Sequence, residues 1–589
     1  MPTPTERASG WIAAFGNALA GADISLAISM FQDDCYWRDL VSFTWNVKTM
    51  EGQSAIADML QANLPSTNPT GWSIVDRVIE VGEVVEAWFD FETAVSRGRG
   101  HLRLKGDKCW TLLTTMLELK GFEEHAGTRR EKGVEHRATK GRKTWLECAS
   151  EEQSTLGYSR QPYCVIIGGG QGGIILGARL KRLGVPTIIL EKNARAGDSW
   201  RKRYKSLVLH DPVWYDHLPY LPFPDDWPVF TPKDRMGDWL EIYTKVMQLD
   251  YWGLAECTAA KYDLDKREWS VTVHRDYGGD LVLRPKQLVF ATGSVGPPKE
   301  IHLPGVDLFQ GDCYHSSAYI SGKKYAGKHC VVIGASNSAH DVCTDLWEHD
   351  ADVTMIQRSP TTVVKSETLM ELGFASLYSE EALAQGITVE RADLLAASIP
   401  FRLMAGMQIP LSETIARRDA DLYARLKMAG FLIDWGEDGS GLTMKAYRKA
   451  SGYYIDVGGS ELIAEGKIKV RSGIEVTEVR QQSVILSDRS ELPAELIVCA
   501  TGYRHMTAAV AKIISPDVAE RIGPNWGYGS NTSGDPGPWF GELRNMWKPL
   551  AYPALWFHGG NLANSRQYSL YVALQIKARM EGIPTPVYE

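Results

Sequence analysis

The sequence predicts an α/β protein in which two parallel, doubly wound units follow a small α+β domain. Two stretches, beginning at Pro162 and Lys328, each contain a short apolar strand, a turn with glycine or small residues, and a helix. A strand–helix–strand order predicts a parallel sheet covered by helices on both faces. Before these units, apolar and polar residues alternate in VVEAWFDFETAV and CWTLLTTMLEL. This period of two is typical of half-buried antiparallel strands.

The 589 residues exceed the roughly 250–300 at which a single core stops growing, so several domains are expected. A charged segment, EEHAGTRREKGVEHRATKGRK, cannot bury much apolar area and is interpreted as a linker. The domain division predicted from these patterns is 1–125 for the α+β domain, 126–160 for the linker, 161–320 for the first doubly wound unit, 321–495 for the second with a helical insertion near 379–460, and 496–589 for a returning part of the first.

Composition favours a soluble protein with small-molecule partners. The net charge of −8 argues against nucleic acid, because phosphate binding needs a dominant basic surface. Nine scattered cysteines without a CxxC pair or metal-ligand spacing suggest reduced thiols and no metal site. The N-terminus lacks a secretory apolar region, and no stretch approaches the ~20 apolar residues that span a bilayer. We expect a cytoplasmic location, and a homodimer is left open.

The first turn carries the spacing of a dinucleotide-binding site. Gly168, Gly170 and Gly173 form GxGxxG between a strand and a helix. The first glycine permits a tight turn, the second lets the backbone approach a pyrophosphate, and the third allows close helix packing. Glu191 follows the next strand, about 20 residues on, where a carboxylate can accept ribose hydroxyls. Lys192 follows it directly.

The second turn is a looser version of the same design. Gly334 is followed by Ser336, Asn337 and Ser338, and the next strand ends in an arginine and a serine, Arg358-Ser359, instead of a carboxylate. These two groups suit the 2′-phosphate of NADPH through charge-assisted hydrogen bonds.

Four further segments, together with the two glycine turns, carry a resemblance to a known family. In chain order they are Trp200 with Arg203 and Tyr204, Ala291-Thr292-Gly293, Phe309-x-Gly311-xxx-His315-xxx-Tyr319 and Ala500-Thr501-Gly502-Tyr503. In this order they resemble the class B flavin monooxygenases, which include flavin-containing monooxygenases, plant YUCCA enzymes and Baeyer–Villiger monooxygenases. The resemblance covers residues 162 to the C-terminus.

The resemblance implies FAD and NADPH as cofactors and O2 as co-substrate. In this family NADPH reduces FAD, oxygen adds to the reduced flavin, and the flavin hydroperoxide passes one oxygen atom to a small organic substrate. The residues expected at FAD are Gly168, Gly170, Gly173, Glu191, Lys192, Trp200, Thr292, Gly293, Thr501 and Gly502. Those expected at NADPH are Gly334, Ser336, Asn337, Ser338, Arg358 and Ser359. His315 is expected to be structural.

The type of oxygenation is narrowed but not fixed. Baeyer–Villiger enzymes carry tryptophan at the position of Tyr319 and PG at Lys205-Ser206, whereas the segment SLVLHDPVWYDHLPYLPFP is closer to YUCCA-like proteins. Near the flavin, where N-oxidising relatives place an asparagine, the matching residue is His210, which is the candidate catalytic residue. The alternatives are a Baeyer–Villiger enzyme, an NADPH oxidase, a non-oxygenating flavin oxidoreductase and a silent scaffold. A disulfide reductase is disfavoured by the missing CxxC pair.

The N-terminal domain resembles the SnoaL-like, ketosteroid-isomerase-type cone fold through MFQDDCYWRDL and TMEGQSAIADML. In such isomerases the position of Asp39 is a general base. We expect Asp39 to be a hydrogen-bonded strand residue here, and the domain to shape the monooxygenase. The insertion is a candidate lid or substrate wall, with a packing appendage as the alternative.

Overall fold

A computed structural model describes residues 2–134, 136–293 and 296–589, so Met1, Glu135 in the expected linker, Ser294 and Val295 lie outside the described residues. The N-terminal part is a six-stranded sheet in the order β2-β1-β6-β5-β4-β3, in which only the β1–β6 pair is parallel. Its strands are β1 (Phe31–Leu40), β2 (Val47–Glu51), β3 (Thr70–Val81), β4 (Val84–Glu92), β5 (Ser96–Lys105) and β6 (Lys108–Leu119). The helices that pack on it are α1 (Pro4–Ala20), α2 (Ile24–Ser29) and α3 (Gly52–Thr67).

One face of this sheet is filled by aromatic side chains. Trp11 stacks on Phe15 with ring centroids 4.6 Å apart, and Phe15 meets Trp37 edge-on at 5.7 Å. The alternating runs predicted as antiparallel strands are found at β4 and β6, whose mutual neighbour is β5. Beyond the sheet, the charged segment is mostly exposed, and helix α4 (Trp145–Thr155) has no buried residue.

The first doubly wound unit has a parallel sheet in the order β24-β13-β7-β8-β9. Its strands are β7 (Cys164–Ile167), β8 (Thr187–Leu190), β9 (Tyr251–Trp252), β13 (Gln287–Phe290) and β24 (Leu555–Phe557). Helix α5 (Gln171–Arg182) follows β7, and α6 (Asp198–Arg201) and α7 (Lys233–Val246) lie between β8 and β9. An antiparallel sheet of β10 (Ala255–Asp263), β11 (Glu268–Arg275) and β12 (Leu281–Leu283) precedes β13.

The second unit has a parallel sheet in the order β14-β23-β15-β16-β19. Its strands are β14 (Asp312–His315), β15 (His329–Ile333), β16 (Asp352–Gln357), β19 (Lys469–Ser472) and β23 (Leu496–Cys499). Helix α8 (Asn337–Glu348) follows β15, and β20 (Val476–Val479), β21 (Ser483–Leu486) and β22 (Glu491–Pro493) form a small antiparallel sheet.

This strand pairing corrects two of the expected boundaries. β14 lies before residue 321 and β23 lies after residue 495, yet both are hydrogen-bonded into the second sheet. The chain returns to the first sheet only at β24. Sequence patterns near β23 did not reveal this, because the partners of a strand are set by contacts distant in sequence.

Between β16 and β19 lies a largely helical insertion around the parallel pair β17 (Thr362–Lys365) and β18 (Tyr453–Asp456). Its helices are α9 (Ser366–Leu369), a π-helix (Met370–Phe374), α10 (Glu380–Ala384), α11 (Val389–Ala397), α12 (Phe401–Arg418), α13 (Ala420–Met428), α14 (Gly441–Lys449) and α15 (Gly459–Ala464). The chain ends with α16 (Thr507–Ile513), α17 (Pro516–Ile522) and α18 (Leu562–Met580), of which α18 packs on α5. Across the described ranges no single helix has the length and apolarity to cross a membrane, and only α11 and α12, bent by 104°, pass that test as a pair.

The N-terminal sheet is fixed to the rest of the molecule by a buried arginine. Arg38 and Glu542 are each 2% exposed and form two hydrogen bonds of 2.7 Å. Arg38 also donates to the carbonyl oxygen of Ala397 at 2.7 Å and to the hydroxyl of Tyr568 at 3.0 Å. One side chain of the N-terminal domain therefore holds the end of α11, a loop before β24, and α18.

Replacing Arg38 should destabilise the whole chain. In Arg38→Met the Glu542 carboxylate stays buried without its cation, which costs about 3–5 kcal/mol. The control is Arg97→Met, because Arg97 is 43% exposed and pairs with Glu118 and Glu123 at the surface, where a pair contributes about 0–1 kcal/mol. Urea unfolding followed by tryptophan fluorescence measures both. Equal losses in the two variants would contradict the assigned role of Arg38.

Candidate functional site

In the first glycine turn, backbone atoms lie close to Gly168 and Gly173, whereas the space beside Gly170 is open. Gly168 has φ +109°, and a Cβ there would lie 2.3 Å from the carbonyl oxygen of Ala291, at the end of β13. A Cβ on Gly173 would lie 2.0 Å from the carbonyl oxygen of Gly168. At Gly170, the N-cap of α5, the nearest atom would be Ser199 Oγ at 3.7 Å. The free N–H groups of α5 therefore face open space, as an anion site requires.

Glu191 supports this turn from the end of β8. Its carboxylate accepts hydrogen bonds from the backbone N–H of Gly169 at 2.8 Å and from the backbone N–H of Asn193 at 2.8 Å. Lys192 is exposed beside it. Trp200 is half-buried and donates its indole N–H to Gln171 at 3.3 Å, in the first turn of α5. The predicted residues of the first site thus surround one turn.

A third turn, which the sequence analysis did not identify, closes the site from the C-terminal side. After β24 the chain runs His558-Gly559-Gly560-Asn561 into α18, and a Cβ on Gly172 would lie 3.3 Å from the Cα of Gly559. Strand, glycine pair and capping asparagine in HGGN are the signal that could have found it.

Unpaired polar atoms mark the region of these turns. Thr292 Oγ, both ring nitrogens of His558 and Ser565 Oγ are buried and have no hydrogen-bond partner among the described residues. Burial lowers the pKa of His558 to about 3, so the ring is neutral and offers one donor and one acceptor. Buried polar atoms of this kind are normally satisfied, so a polar ligand is expected here.

The second turn repeats the geometry of the first. Gly334 has φ +128°, and a Cβ there would lie 2.5 Å from the carbonyl oxygen of Ala500, at the end of β23. The sequence grouped Thr501 and Gly502 with the first turn; because β23 is hydrogen-bonded to β15, they follow the strand beside the second turn. Gly293, in contrast, follows β13 beside the first.

The small residues of the second turn hold the insertion. Ser336 Oγ accepts from the backbone N–H of Gly452 at 3.1 Å, and Asn337 Oδ1 accepts from that of Ile455 at 2.9 Å. Ser338 is partly buried. Arg358 and Ser359 are exposed after β16, and Arg358 makes no hydrogen bond or ion pair within the described ranges. Its guanidinium is free to bind an anion.

The expected structural histidine lies at the end of β14, beside the end of β23 in the second unit. His315 Nε2 lies 3.0 Å from the carbonyl oxygen of Gly502, and its ring meets that of Tyr503 edge-on at 5.3 Å. Tyr319 is fully buried and donates to Asp345 Oδ2 at 2.5 Å on α8. The motif therefore anchors the connecting segment to the second unit.

His210 is held by a carboxylate of the second unit. Its Nε2 lies 3.3 Å from Asp341 Oδ1 on α8, and Asp341 Oδ2 accepts from the Tyr204 hydroxyl at 2.5 Å. Burial alone would lower the pKa of His210. The hydrogen bond and charge of Asp341, together with Asp211 and Asp456, outweigh burial, so the pKa is raised. The imidazole therefore keeps its second proton to a higher pH than usual.

Asp39 is a structural carboxylate in this structure. It is fully buried and accepts from the backbone N–H groups of Phe43 and Thr44 at 2.9 Å, and from the hydroxyls of Thr44 at 2.7 Å and Thr114 at 2.6 Å. Burial raises its pKa despite these four bonds. All its partners lie within the N-terminal sheet and its loop, which agrees with the expected structural role.

Several known proteins are similar to this chain in sequence. Residues 257–386 match the family model described as pyridine nucleotide-disulphide oxidoreductase. Indole-3-pyruvate monooxygenase YUCCA1 of Oryza sativa subsp. japonica is 29% identical over 349 residues, covering 58% of this chain and 77% of that protein. Probable indole-3-pyruvate monooxygenase YUCCA7 of Arabidopsis thaliana is 30% identical over 345 residues, covering 58% and 74%.

Solved structures share the fold. Cyclohexanone monooxygenase with bound ε-caprolactone matches with a TM-score of 0.51 and 20% identity, over 72% of this chain and 88% of that one. A structure of OTEMO in complex with FAD and NADP matches with a TM-score of 0.50 and 16% identity, over 72% and 86%.

Removing the carboxylate beside His210 should lower the pKa of that histidine. In Asp341→Asn the hydrogen-bonded charge is lost while burial remains, so the pKa should fall below 6.5, its ordinary value. The exposed Glu348 on the same helix provides the control, Glu348→Gln. NMR titration of histidine ring signals, with His210 assigned by its absence in His210→Asn, gives the values. An unchanged pKa in Asp341→Asn would rule out this pairing.

Proposed function

The chain belongs to the class B flavin monooxygenase family, and from this premise we propose that it binds FAD at the first glycine turn and NADPH at the second. Its activity is flavin-dependent monooxygenation, in which substrate, O2, NADPH and a proton give oxygenated substrate, NADP+ and water. The cofactor assignment rests on the two glycine turns. In each turn the carbonyl oxygen of a residue that follows a neighbouring strand approaches the first glycine closely: Ala291 approaches Gly168, and Ala500 approaches Gly334.

Residues around the first turn fit FAD. The open direction at Gly170 and the N–H groups of α5 suit the pyrophosphate. Glu191 and Lys192 stand where the ribose is expected, and the unpaired atoms of Thr292 and His558 suit the polar edge of a flavin. Trp200 and Gly293 complete the set. When bound, FAD supplies the redox chemistry that activates O2.

Residues around the second turn fit NADPH. We assign Gly334 to the turn itself, Thr501 and Gly502 to the end of the neighbouring strand β23, and Ser336, Asn337 and Ser338 to the start of α8. Ser336 and Asn337 already accept backbone N–H groups from the insertion, which ties a bound nucleotide to the insertion's position. Arg358 and Ser359 would bind the 2′-phosphate of NADPH by hydrogen bonds.

His210 is proposed to hold a proton near the reacting oxygen. Its raised pKa keeps it able to donate from the nitrogen that does not face Asp341. The N-terminal domain is proposed to be SnoaL-like and non-catalytic, because its candidate base Asp39 has four hydrogen bonds from its own domain. The proposed role of the N-terminal domain is to hold the insertion in place through the hydrogen bond from Arg38 to the carbonyl of Ala397.

Gly170→Val should abolish FAD binding while leaving the fold intact. Gly170 has extended backbone with φ −76°, which valine adopts readily, and the protein leaves room for a Cβ. The side chain would occupy the space needed by the pyrophosphate, so flavin content should fall at least about tenfold. Flavin absorbance and circular dichroism measure content and fold. Gly406→Val, at an open position in α12, is the control, and a fully flavinylated Gly170→Val protein would overturn the assignment.

Arg358→Ala should weaken NADPH selectively. Losing a charge-assisted contact to the 2′-phosphate costs about 1.5–3 kcal/mol, or roughly ten- to a hundredfold in KM for NADPH. KM for NADH, which lacks that phosphate, should be nearly unchanged. Steady-state kinetics with both coenzymes, and with Arg471→Ala as a surface control, measure this. Equal weakening of both coenzymes would contradict the assignment.

A further inference from the structure

A cavity of about 620 Å³ lies where the insertion meets the C-terminal part of the chain. One wall is Arg402, at the start of α12, and the other is the loop 529–539, which contributes Ser530, Asn531, Pro538 and Trp539. None of the residues assigned above to FAD or NADPH lines it. Its volume falls in the range of about 300–1,000 Å³ that is usual for small-molecule sites.

The loop wall is held in shape by a buried carboxylate. Asp535 is fully buried and accepts hydrogen bonds of 2.9 to 3.1 Å from the backbone N–H groups of residues 528–530. A Cβ on Gly529 would lie 1.8 Å from the carbonyl oxygen of Pro538, so the two sides of the loop are in contact. Because this wall is formed by the protein's own bonds, a ligand would not have to order it.

The opposite wall is a cation held against an indole ring. Among the described residues that line the cavity, Arg402 is the charged one. Its guanidinium lies over the Trp539 ring, 4.0 Å from the ring centroid, in a cation–π contact. Glu51 of the N-terminal domain accepts from Arg402 Nε at 3.0 Å and from the Trp539 indole N–H at 2.6 Å. One carboxylate outside the lining therefore fixes both side chains.

One edge of the Arg402 guanidinium is still available. Arginine has five N–H groups arranged in a planar fork. Glu51 takes the edge formed by Nε and Nη2, each at 3.0 Å, whereas Nη1 makes no hydrogen bond with any described residue. The edge formed by Nη1 and Nη2 has the geometry for two parallel hydrogen bonds to a second carboxylate.

The remaining lining is neutral. Ser530 and Asn531 supply a hydroxyl and an amide, and the exposed Asn531 side chain makes no hydrogen bond within the described ranges. Pro538 and Trp539 supply apolar surface. No lining residue in the described part of the chain is acidic. The cavity therefore offers a cation and neutral hydrogen-bonding groups to an anionic head, and ring surface to an apolar body.

We propose that this cavity binds a small organic carboxylate with an apolar body, at a site separate from the two nucleotide turns. The carboxylate would bind the free edge of Arg402, and the apolar body would contact Pro538 and Trp539. Since Arg402 belongs to the insertion and is paired with Glu51, a bound ligand would join the insertion, the N-terminal domain and the C-terminal loop. This binding does not depend on the proposed monooxygenase activity.

The test uses benzoate as the probe, with benzamide and acetate for comparison. Calorimetric titrations are made on the full-length protein with excess FAD and NADP+, so that the proposed nucleotide sites are filled. Benzoate should bind with a Kd below about 1 mM. Benzamide has the same shape without the charge, and acetate has the charge without the ring, so each should bind at least about tenfold more weakly.

Two variants locate the binding in this cavity. Arg402→Gln removes the cation from a side chain that is 45% exposed, so the fold should persist and benzoate should bind at least about tenfold more weakly. Asn531→Asp places a repelling carboxylate in the lining without removing a hydrogen bond, and should also weaken benzoate. Neither change should alter benzamide binding. Arg417→Gln, at an exposed position of the same helix, is the control and should bind benzoate like the wild type.

Three results would overturn the proposal: no saturable binding of benzoate, binding of benzamide or acetate as tight as that of benzoate, or a benzoate affinity that Arg402→Gln and Asn531→Asp leave unchanged. Circular dichroism confirms that each variant is folded. Flavin content and NADPH-dependent flavin reduction are measured on the same samples. Their absence would count against the proposed function alone, whereas their presence without benzoate binding would count against this cavity alone.

Discussion

One buried ion pair holds together the segments that surround the candidate site. Arg566 on α18 and Asp393 on α11 are 3% and 6% exposed, and the same guanidinium binds the carbonyls of Tyr215 and His217. Removing either charge would leave the other buried and unpaired, which is costly. The insertion, the segment after His210 and the last helix are therefore fixed relative to each other. The buried pair of Arg38 and Glu542 adds the N-terminal domain to this arrangement, because Arg38 also binds the carbonyl of Ala397 at the end of α11.

A second constraint shapes both glycine turns in the same way. In each unit a backbone carbonyl crosses the first glycine so closely that no side chain fits, at Ala291 and at Ala500. Asp341 on α8 of the second unit then contacts His210, which follows the first glycine turn in the chain. Both proposed nucleotide sites would therefore be built on rigid elements.

Local patterns in the sequence predicted most of the fold but only part of the site. The strands around GxGxxG and the alternating run at β4 followed from short-range periodicity. Short-range periodicity could not predict that β23 belongs to the second sheet. The strand beside β23, which sets the neighbours of Thr501 and Gly502, is far away in sequence. For the same reason the sequence did not identify His558 as a site residue. His558 comes close to α5 only because β24 pairs with the distant strand β13.

The central claim is that this chain transfers one oxygen atom from O2 to a small molecule at the expense of NADPH. The most direct measurement is turnover under 18O2 with NADPH and a neutral sulfide, followed by mass spectrometry of the product and by counting NADPH consumed. The account predicts one 18O atom per product molecule and one NADPH per oxygenation. NADPH oxidation that yields only hydrogen peroxide, with no labelled product from the sulfide, would contradict it.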